Sequence, residues 1–121
     1  NDVLSGLGGN DTINGGNGKD TISGGRGDDS LAGGLANDTF VFGAIFGNDV
    51  VSDFSAQDKL DFSQLGISKS ALDSNGDGII NAIDNLADLI GNSLKLDLTS
   101  LSGGTISLTG VTSVSMAAAI V

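Results

Sequence analysis

Residues 6–41 are four consecutive copies of one nine-residue frame: GLGGNDTIN (6–14), GGNGKDTIS (15–23), GGRGDDSLA (24–32) and GGLANDTFV (33–41). The preceding NDVLS (1–5) is the end of a fifth copy. Glycine or another small residue recurs at the first, second and fourth places, except for Leu7 at the second place of the first frame; aspartate recurs at the sixth, and an aliphatic residue or Phe at the eighth. Six turn residues followed by three strand residues predict half of a flattened coil, in which each strand points one apolar side chain to the same side.

A chain that turns every nine residues closes a coil every eighteen, so aspartates eighteen residues apart are expected to be neighbours. This spacing pairs Asp2 with Asp20, Asp11 with Asp29, and Asp20 with Asp38. The glycines allow turns with positive φ whose carbonyls point inward. Carboxylates and carbonyls together form a hard oxygen cage, which suits Ca²⁺ better than Mg²⁺. The chain has no Cys or His to act as a softer ligand.

The frame resembles the RTX nonapeptide GGxGxDxUx, whose parallel β-roll binds Ca²⁺ between its turns. The resemblance implies a mainly all-β fold, with a parallel β-roll over residues 1–41 and a β-rich cap over 42–121. In that family the sixth-place Asp touches one ion above and one below, and carbonyls of the two stacked turns complete each cage. The implied ligands of the first site are Leu7, Gly9, Asp11, Gly24, Arg26 and Asp29, those of the second are Gly16, Gly18, Asp20, Gly33, Leu35 and Asp38, and those of a third are Gly15, Asn17, Asp20 and Asp2. Ala36 occupies the fourth place of the last frame, where Gly belongs, and a distorted turn is expected there.

A flexible Gly- and Asp-rich linker is the alternative interpretation of this stretch. A linker does not explain an apolar residue at every eighth place or an aspartate kept in register through five turns. The linker does describe the expected ion-free state. Ordering a residue costs about 1–2 kcal/mol, whereas each of the few buried apolar side chains returns only about 1.5–3 kcal/mol. We therefore expect the repeats to fold only when ions bind.

The composition of the 121-residue chain agrees with a calcium-binding module. All fifteen acidic residues are Asp, against five Lys and Arg, and the net charge is −10. Asp is short and compatible with turns, so these acids are typical of metal ligands and turn formers. About five Ca²⁺ ions would neutralise the chain. The charge disfavours nucleic acid as a partner, no apolar run is long enough to span a membrane, and a monomer is expected.

The stretch after the frames, residues 38–66, contains all five Phe residues and is expected to supply an apolar plug for the end of the roll. It resembles the segment that follows the repeats in serralysin-type proteases. In that family, acids placed like Asp53 and Asp58 help to close the last ion site, and Asp49 in a degenerate GNDVV frame is a third candidate. Solvated acids in turns are the alternative for these three residues.

A second calcium motif is predicted at 73–84, DSNGDGIINAID. Asp73, Asn75, Asp77 and Asp84 occupy the first, third, fifth and twelfth places of an EF-hand-like loop, with Gly78 at the sixth and the Ile79 carbonyl at the seventh. The final Asp in place of Glu is closer to the dockerin-type loop. An Asx-rich turn without metal is the alternative. Asn81 is predicted to cap a short helix that runs to about Gly91, with an apolar face of Ile83, Leu86, Ala87 and Ile90.

From Ser93 the pattern changes to period two and predicts β-strands. Leu94, Leu96 and Leu98 form the apolar side of one strand, Gly103 and Gly104 predict a turn, and Ile106 and Leu108 belong to a second strand. Val111 and Val114 suggest a third, and the last residues, SMAAAIV, suit a short helix or strand. In RTX proteins the secretion signal lies in such a C-terminal stretch, but ordinary packing explains these residues equally well.

These features favour a Ca²⁺-binding module that folds outside the cell and supports the type I secretion and folding of a larger parent protein. Expected partners are Ca²⁺, the upstream domains of the parent and the type I secretion machinery of a Gram-negative bacterium. The chain starts within a frame, so we expect it to be part of a longer protein. Because His, Cys, Tyr and Glu are absent, no catalytic constellation is predicted. The alternative function is an adhesive module that docks on polysaccharide, ice or a cell envelope.

Overall fold

The computed structural model describes residues 1–67, 69–80, 87–101, 103–115 and 120–121. Its first half is a run of seven short strands, of which the first five follow the nine-residue frame. These strands are β1 (Val3–Ser5), β2 (Thr12–Asn14), β3 (Thr21–Ser23), β4 (Ser30–Ala32), β5 (Thr39–Val41), β6 (Asn48–Val51) and β7 (Lys59–Asp61). Successive strands go to alternate sheets, as a coil of two strands per turn requires.

Odd-numbered and even-numbered strands form two separate parallel sheets. One sheet has the order β1-β3-β5-β7, and the other contains β2-β4-β6 as neighbours. Leu4 pairs with Ile22, and Ile13 pairs with Leu31, so each register shift equals two frames. The mainly all-β class and the parallel roll predicted from the sequence are confirmed.

The eighth-place side chains fill the space between the two sheets. Ile22, Leu31, Phe40, Val51 and Leu60 are fully buried. Leu4 and Ile13, at the N-terminal end, are only partly buried and pack against this core. All five Phe side chains are buried, and the ring centroids of Phe42 lie 5.1 Å from Phe46 and 5.7 Å from Phe62. The predicted apolar plug therefore lies where the roll meets the rest of the chain.

Strands β6 and β7 continue the two parallel sheets beyond residue 41, and the roll of the structure therefore comprises β1–β7. The remaining elements form the cap. They are a 3-10 helix (Ser63–Leu65), α1 (Lys69–Leu72), β8 (Ile79–Ile80), β9 (Ala87–Ile90), β10 (Ser93–Asp97), a second 3-10 helix (Thr99–Leu101), β11 (Thr105–Leu108) and β12 (Val114–Ser115). The period-two prediction is correct for β10, whose Leu94 and Leu96 are buried, and for its antiparallel partner β11. β12 pairs with β8 instead of continuing that sheet.

The cap continues both sheets of the roll. β11 pairs in parallel with β6, so that Thr105 lies beside Asn48, and the Thr105 N–H donates to the Gly47 carbonyl over 2.7 Å. On the other sheet, Ile120 bridges Leu60 in parallel, and the Val121 N–H donates to the Leu60 carbonyl. A roll that stopped at β6 and β7 would expose two rows of unpaired backbone groups. The cap supplies the missing hydrogen-bonding partners on both sheets.

The helix predicted from Asn81 to about Gly91 is wrong over the part that the structure describes. Residues 81–86, which include Ile83 and Leu86, lie outside the described residues. Ala87–Ile90 is strand β9, which pairs antiparallel with β10 through a turn at Gly91 and Asn92. Gly91 has φ 63°, a conformation that suits a tight hairpin. Four residues are too few for apolar spacing alone to distinguish a helix from a strand.

Candidate metal centre

The turns of the roll stack along two edges, and their backbones hold one another in register. On one edge the Arg26 N–H donates to the Leu7 carbonyl over 3.0 Å, and the Gly9 N–H donates to the Arg26 carbonyl over 2.8 Å. On the other edge the Leu35 N–H donates to the Gly16 carbonyl, and the Gly18 N–H donates to the Leu35 carbonyl. The carbonyls implied as ligands at Leu7, Arg26, Gly16 and Leu35 therefore belong to rigid, stacked turns. Each keeps a second lone pair for another bond.

First-place glycines give the carboxylates room inside the turns. A Cβ atom at Gly24 would lie 2.1 Å from Asp29 Oδ2, and one at Gly33 would lie 2.3 Å from Asp38 Oδ2. A Cβ atom at Gly15 would meet both Asp20 Oδ2, at 2.7 Å, and the carbonyl oxygen of Gly33, at 2.6 Å. On the other edge, a Cβ atom at Gly6 would likewise meet both Asp11 Oδ2 and the Gly24 carbonyl oxygen. The glycine at this place thus leaves space for a carboxylate oxygen and the carbonyl of the next coil to approach each other.

Sixth-place aspartates form two columns, and within each column the same hydrogen bond joins successive residues. In each pair the backbone N–H of the lower Asp donates to Oδ1 of the Asp on the next coil. Asp11 bonds to Asp29 over 2.8 Å, Asp20 to Asp38 over 2.8 Å, and Asp2 to Asp20 over 2.5 Å. The pairing predicted from the eighteen-residue spacing is therefore present in the structure.

The second oxygen of these carboxylates has no hydrogen-bond partner. Oδ2 is buried and unpartnered, within the described part of the chain, in Asp11, Asp20, Asp29, Asp38 and Asp49. Four of these residues are almost fully buried, with 1–2% of their surface exposed; they are Asp20, Asp29, Asp38 and Asp49. Buried carboxylate oxygens are normally paired, because leaving one unpaired forfeits its hydration without compensation. A row of such oxygens facing backbone carbonyls fits a hard cation.

Burial also makes the negative charge of two of these groups costly. Burial first, and then the neighbouring charges of Asp29 and Asp28, raise the pKa of Asp49 to about 7, although the hydrogen bond from the Asp29 N–H acts to lower it. The pKa of Asp38 is likewise raised, first by burial and then by the charges of Asp58 and Asp20. No lysine or arginine forms an ion pair with these carboxylates in the described residues; the one salt bridge joins Asp20 to the amino group of Asn1. A bound divalent cation would supply the missing positive charge.

The comparisons with known proteins agree with this geometry. Residues 1–31 and 14–44 match the RTX calcium-binding nonapeptide repeat, which is found in four copies. Residues 1–44 are RTX calcium-binding repeats. No curated protein sequence matches the chain. The RTX repeat binds calcium, so this chain contains a calcium-binding module of a kind typical of secreted bacterial proteins.

Any ion in the RTX repeats must take much of its coordination from the backbone. Among the described residues, no three acidic side chains converge on one point. Two carboxylates and several carbonyls are then the available donors, and Ca²⁺ accepts such mixed sets of oxygen ligands. Asp2, which belongs to the third implied site with Gly15, Asn17 and Asp20, is exposed, and its N–H donates to Asp20 Oδ1.

The distortion expected at Ala36 is absent. Ala36 has φ 89°, close to the values of 104° at Gly9 and 106° at Gly18, which occupy the same place in their frames. The turn keeps its backbone hydrogen bonds from Leu35 to Gly16 and from Gly18 to Leu35. Alanine is strained in this region, but stacking on the turn below holds it there. Leu7 is a second strained residue, with φ 71°.

A polar ladder at the fifth place was not foreseen from the sequence. The Asp28 N–H donates to Asn10 Oδ1, the Asn48 N–H donates to Asp28 Oδ1, and Thr105 Oγ1 donates to Asn48 Oδ1. The ladder crosses from the RTX repeats into the cap. Its signal in the sequence is an Asn or Asp at the fifth place of alternate frames, directly before the sixth-place Asp.

The EF-hand-like loop folds around its first residue. Asp73 Oδ1 accepts the N–H groups of Gly76 and Asp77, and Oδ2 accepts that of Gly78 over 2.8 Å. Gly78, at the sixth place, has φ 82°, as the sharp turn of such a loop requires. Asn75 and Asp77 are exposed, and Ile79 begins strand β8. The twelfth ligand, Asp84, lies outside the described residues. Helix α1, before the loop, is a single turn.

The two columns predict unequal roles for Asp20 and Asp2. Asp20 is buried between the coils of Asp2 and Asp38, whereas Asp2 is exposed at the end. Asp20→Asn should raise the Ca²⁺ concentration at the midpoint of folding by roughly ten-fold or more, equivalent to ~1.4 kcal/mol. The reason is that it removes a charge shared by two ion sites, one on each side of its coil. Asp2→Asn, the matched control, should change it little. Equal shifts in circular dichroism titrations of the two variants would contradict the shared-ligand geometry.

Proposed function

We propose that this chain is a module that remains unfolded without calcium, folds when several Ca²⁺ ions bind, and thereby supports the secretion and folding of a larger parent protein. The observation that carries the proposal is the set of buried, unpartnered Oδ2 atoms at Asp11, Asp20, Asp29, Asp38 and Asp49. The cages of the RTX repeats are formed from the carboxylates of Asp11, Asp20, Asp29 and Asp38 and from the stacked carbonyls on the same edges.

The charges make the ion-free fold unfavourable. Taking one carboxylate out of water costs several kcal/mol unless it is paired, and the columns place such groups on adjacent coils. Strands of three or four residues bury few apolar side chains in return. Folding and calcium binding are therefore one coupled event.

This coupling suits a protein that is exported before it folds. Extracellular calcium modules bind with dissociation constants of about 10⁻⁴–10⁻³ M. With sites in that range, the chain stays extended at low calcium and folds where calcium is abundant. Type I export to the outside of a Gram-negative cell is the route that the resemblance to RTX proteins implies. No helix in the described residues is long and apolar enough to cross a membrane.

The dependence on calcium is tested directly by circular dichroism. We expect a largely disordered chain in excess chelator and a strand-rich chain in millimolar Ca²⁺, whereas Mg²⁺ at the same concentration should not fold it, because Mg²⁺ demands a tight octahedron and gives up water reluctantly. A strand-rich spectrum in chelator would show that burial and hydrogen bonding suffice, and would refute the proposal.

The EF-hand-like loop is proposed as a separate calcium site. Asp73, Asn75, Asp77, the Ile79 carbonyl and Asp84 are its ligands by position. The left-handed conformation of Gly78, at the sixth place of the loop, supports this proposal. Strand β8, which begins in the loop, pairs with β12, so an ion here would stabilise the cap without touching the RTX repeats.

Asp77→Ala should remove one ion and leave the roll folded, because this loop draws only on its own ligands. Isothermal titration calorimetry of the variant and the parent chain gives the stoichiometry, and circular dichroism gives the fold. Asp97→Ala, a change to another cap aspartate outside the loop, is the control and should keep the full count. An unchanged stoichiometry for Asp77→Ala would mean that the loop is a metal-free Asx-rich turn.

A further inference from the structure

Asp49 lies at the junction between the roll and the cap. Its strand, β6, pairs with β4 of the roll on one side and with β11 of the cap on the other. Asp49 is buried, with 1% of its surface exposed. Oδ1 accepts the Asp29 N–H over 3.0 Å, and Oδ2 is buried with no hydrogen-bond partner among the described residues. Asp49 therefore repeats the environment of the sixth-place aspartates in the RTX repeats.

The RTX match does not include this residue, which the sequence offered only as a candidate in a degenerate frame. The family match ends at residue 44, and Asp49 follows Asp29 by twenty residues instead of eighteen. The two extra residues lie in the loop between β5 and β6, where Ile45 takes φ 61°. This strained turn absorbs the insertion, so that Asp49 returns to the column above Asp29.

The two other acids that follow the repeats have a different environment. Asp58 continues the second column, and its Oδ1 accepts the Asp38 N–H, but its Oδ2 accepts the Ser55 N–H over 2.7 Å. Asp53 is exposed, and its two oxygens accept the N–H groups of Gly33 and Gly34. Peptide N–H groups thus satisfy both oxygens of Asp53 and Asp58. Of the three acids, Asp49 alone keeps a buried oxygen with no partner.

Backbone groups at the junction have the arrangement found in the cages. Gly104 of the cap stacks on Gly47 as Gly47 stacks on Gly27: a Cβ atom on Gly104 would lie 1.7 Å from the Gly47 carbonyl oxygen, and one on Gly47 would lie 2.2 Å from that of Gly27. The cap strand therefore takes the place of the next coil over Asp49. No lysine or arginine side chain is paired with this carboxylate in the described part of the chain.

We propose that Asp49 is a ligand of a calcium-class cation site at the junction of roll and cap, and that Asp53 and Asp58 are structural acceptors of peptide N–H groups, which ion binding does not require. This inference rests on the proposed function, in which the roll binds Ca²⁺. One column of carboxylates then ends at an ion, and the other ends at the Ser55 N–H. The junction ion couples occupancy of the roll to docking of the cap.

The test compares two isosteric substitutions, Asp49→Asn and Asp58→Asn. Both remove one carboxylate charge from a buried residue at the end of a column, and both leave an oxygen that accepts the N–H from the coil below. Native mass spectrometry at saturating Ca²⁺ counts the ions on each folded chain, and circular dichroism confirms the fold. We expect Asp49→Asn to bind one ion fewer than the parent, and Asp58→Asn to bind the same number with lower thermal stability.

An unchanged count for Asp49→Asn, or an equal loss for Asp58→Asn, would overturn the assignment. If Asp49→Asn does not fold, crystals of the calcium-loaded parent chain decide the question through the anomalous scattering of calcium. A peak at ligand distance from Asp49 Oδ2, about 2.3–2.6 Å, supports the site, and no peak there refutes it. A parent chain that binds no Ca²⁺ at all would instead refute the proposed function.

Discussion

Stacked, buried carboxylates without a counter-charge are the constraint on which this structure depends. Two columns of aspartates run through the roll. Four of their residues give one oxygen to the N–H of the coil below and keep the other buried without a hydrogen-bond partner; they are Asp20, Asp29, Asp38 and Asp49. Such oxygens are stable only beside a cation or a donor. The same side chains determine the register of the coils and, in the proposed function, the dependence of the fold on calcium. The small apolar core between the two sheets could not balance this charge without bound ions.

The cap provides the hydrogen-bonding partners that the backbone of the last coil of the roll lacks. Each coil uses the next coil as its hydrogen-bonding partner, so the last coil needs a partner of its own. β11 and Ile120 supply it, one on each sheet, from residues that are far away in the sequence. The fifth-place ladder ends at Thr105 in the same region. Folding of the cap and folding of the last coils are consequently linked, even though the sequence patterns of the two parts differ completely.

The sequence predicted the roll better than it predicted the cap, for a physical reason. In the frame, each residue type has a local cause: Gly24 leaves room for a carboxylate, Asp29 meets the coil below, and Leu31 faces the core. The contacts recur every eighteen residues, so spacing alone reveals the neighbours. In the cap, Ala87–Ile90 is a strand because it pairs with β10, a contact that apolar spacing on four residues does not encode. The roles of Asp49, Asp53 and Asp58 were equally hidden, because they depend on whether a peptide N–H reaches the second oxygen. Ala36 kept the glycine conformation for a similar reason, since the coil below it holds its turn.

Residue-resolved amide hydrogen exchange tests most directly whether the carboxylate columns make the fold depend on ions. The informative amides are those of Asp11, Asp20, Asp29 and Asp38, each of which donates to an aspartate Oδ1 on the next coil. In saturating Ca²⁺ these amides should be protected together with the strand amides of the roll. In chelator all of them should exchange at the rates of an unfolded chain. Protection of the four aspartate amides in chelator would contradict the central claim, because the columns would then be stable without a cation.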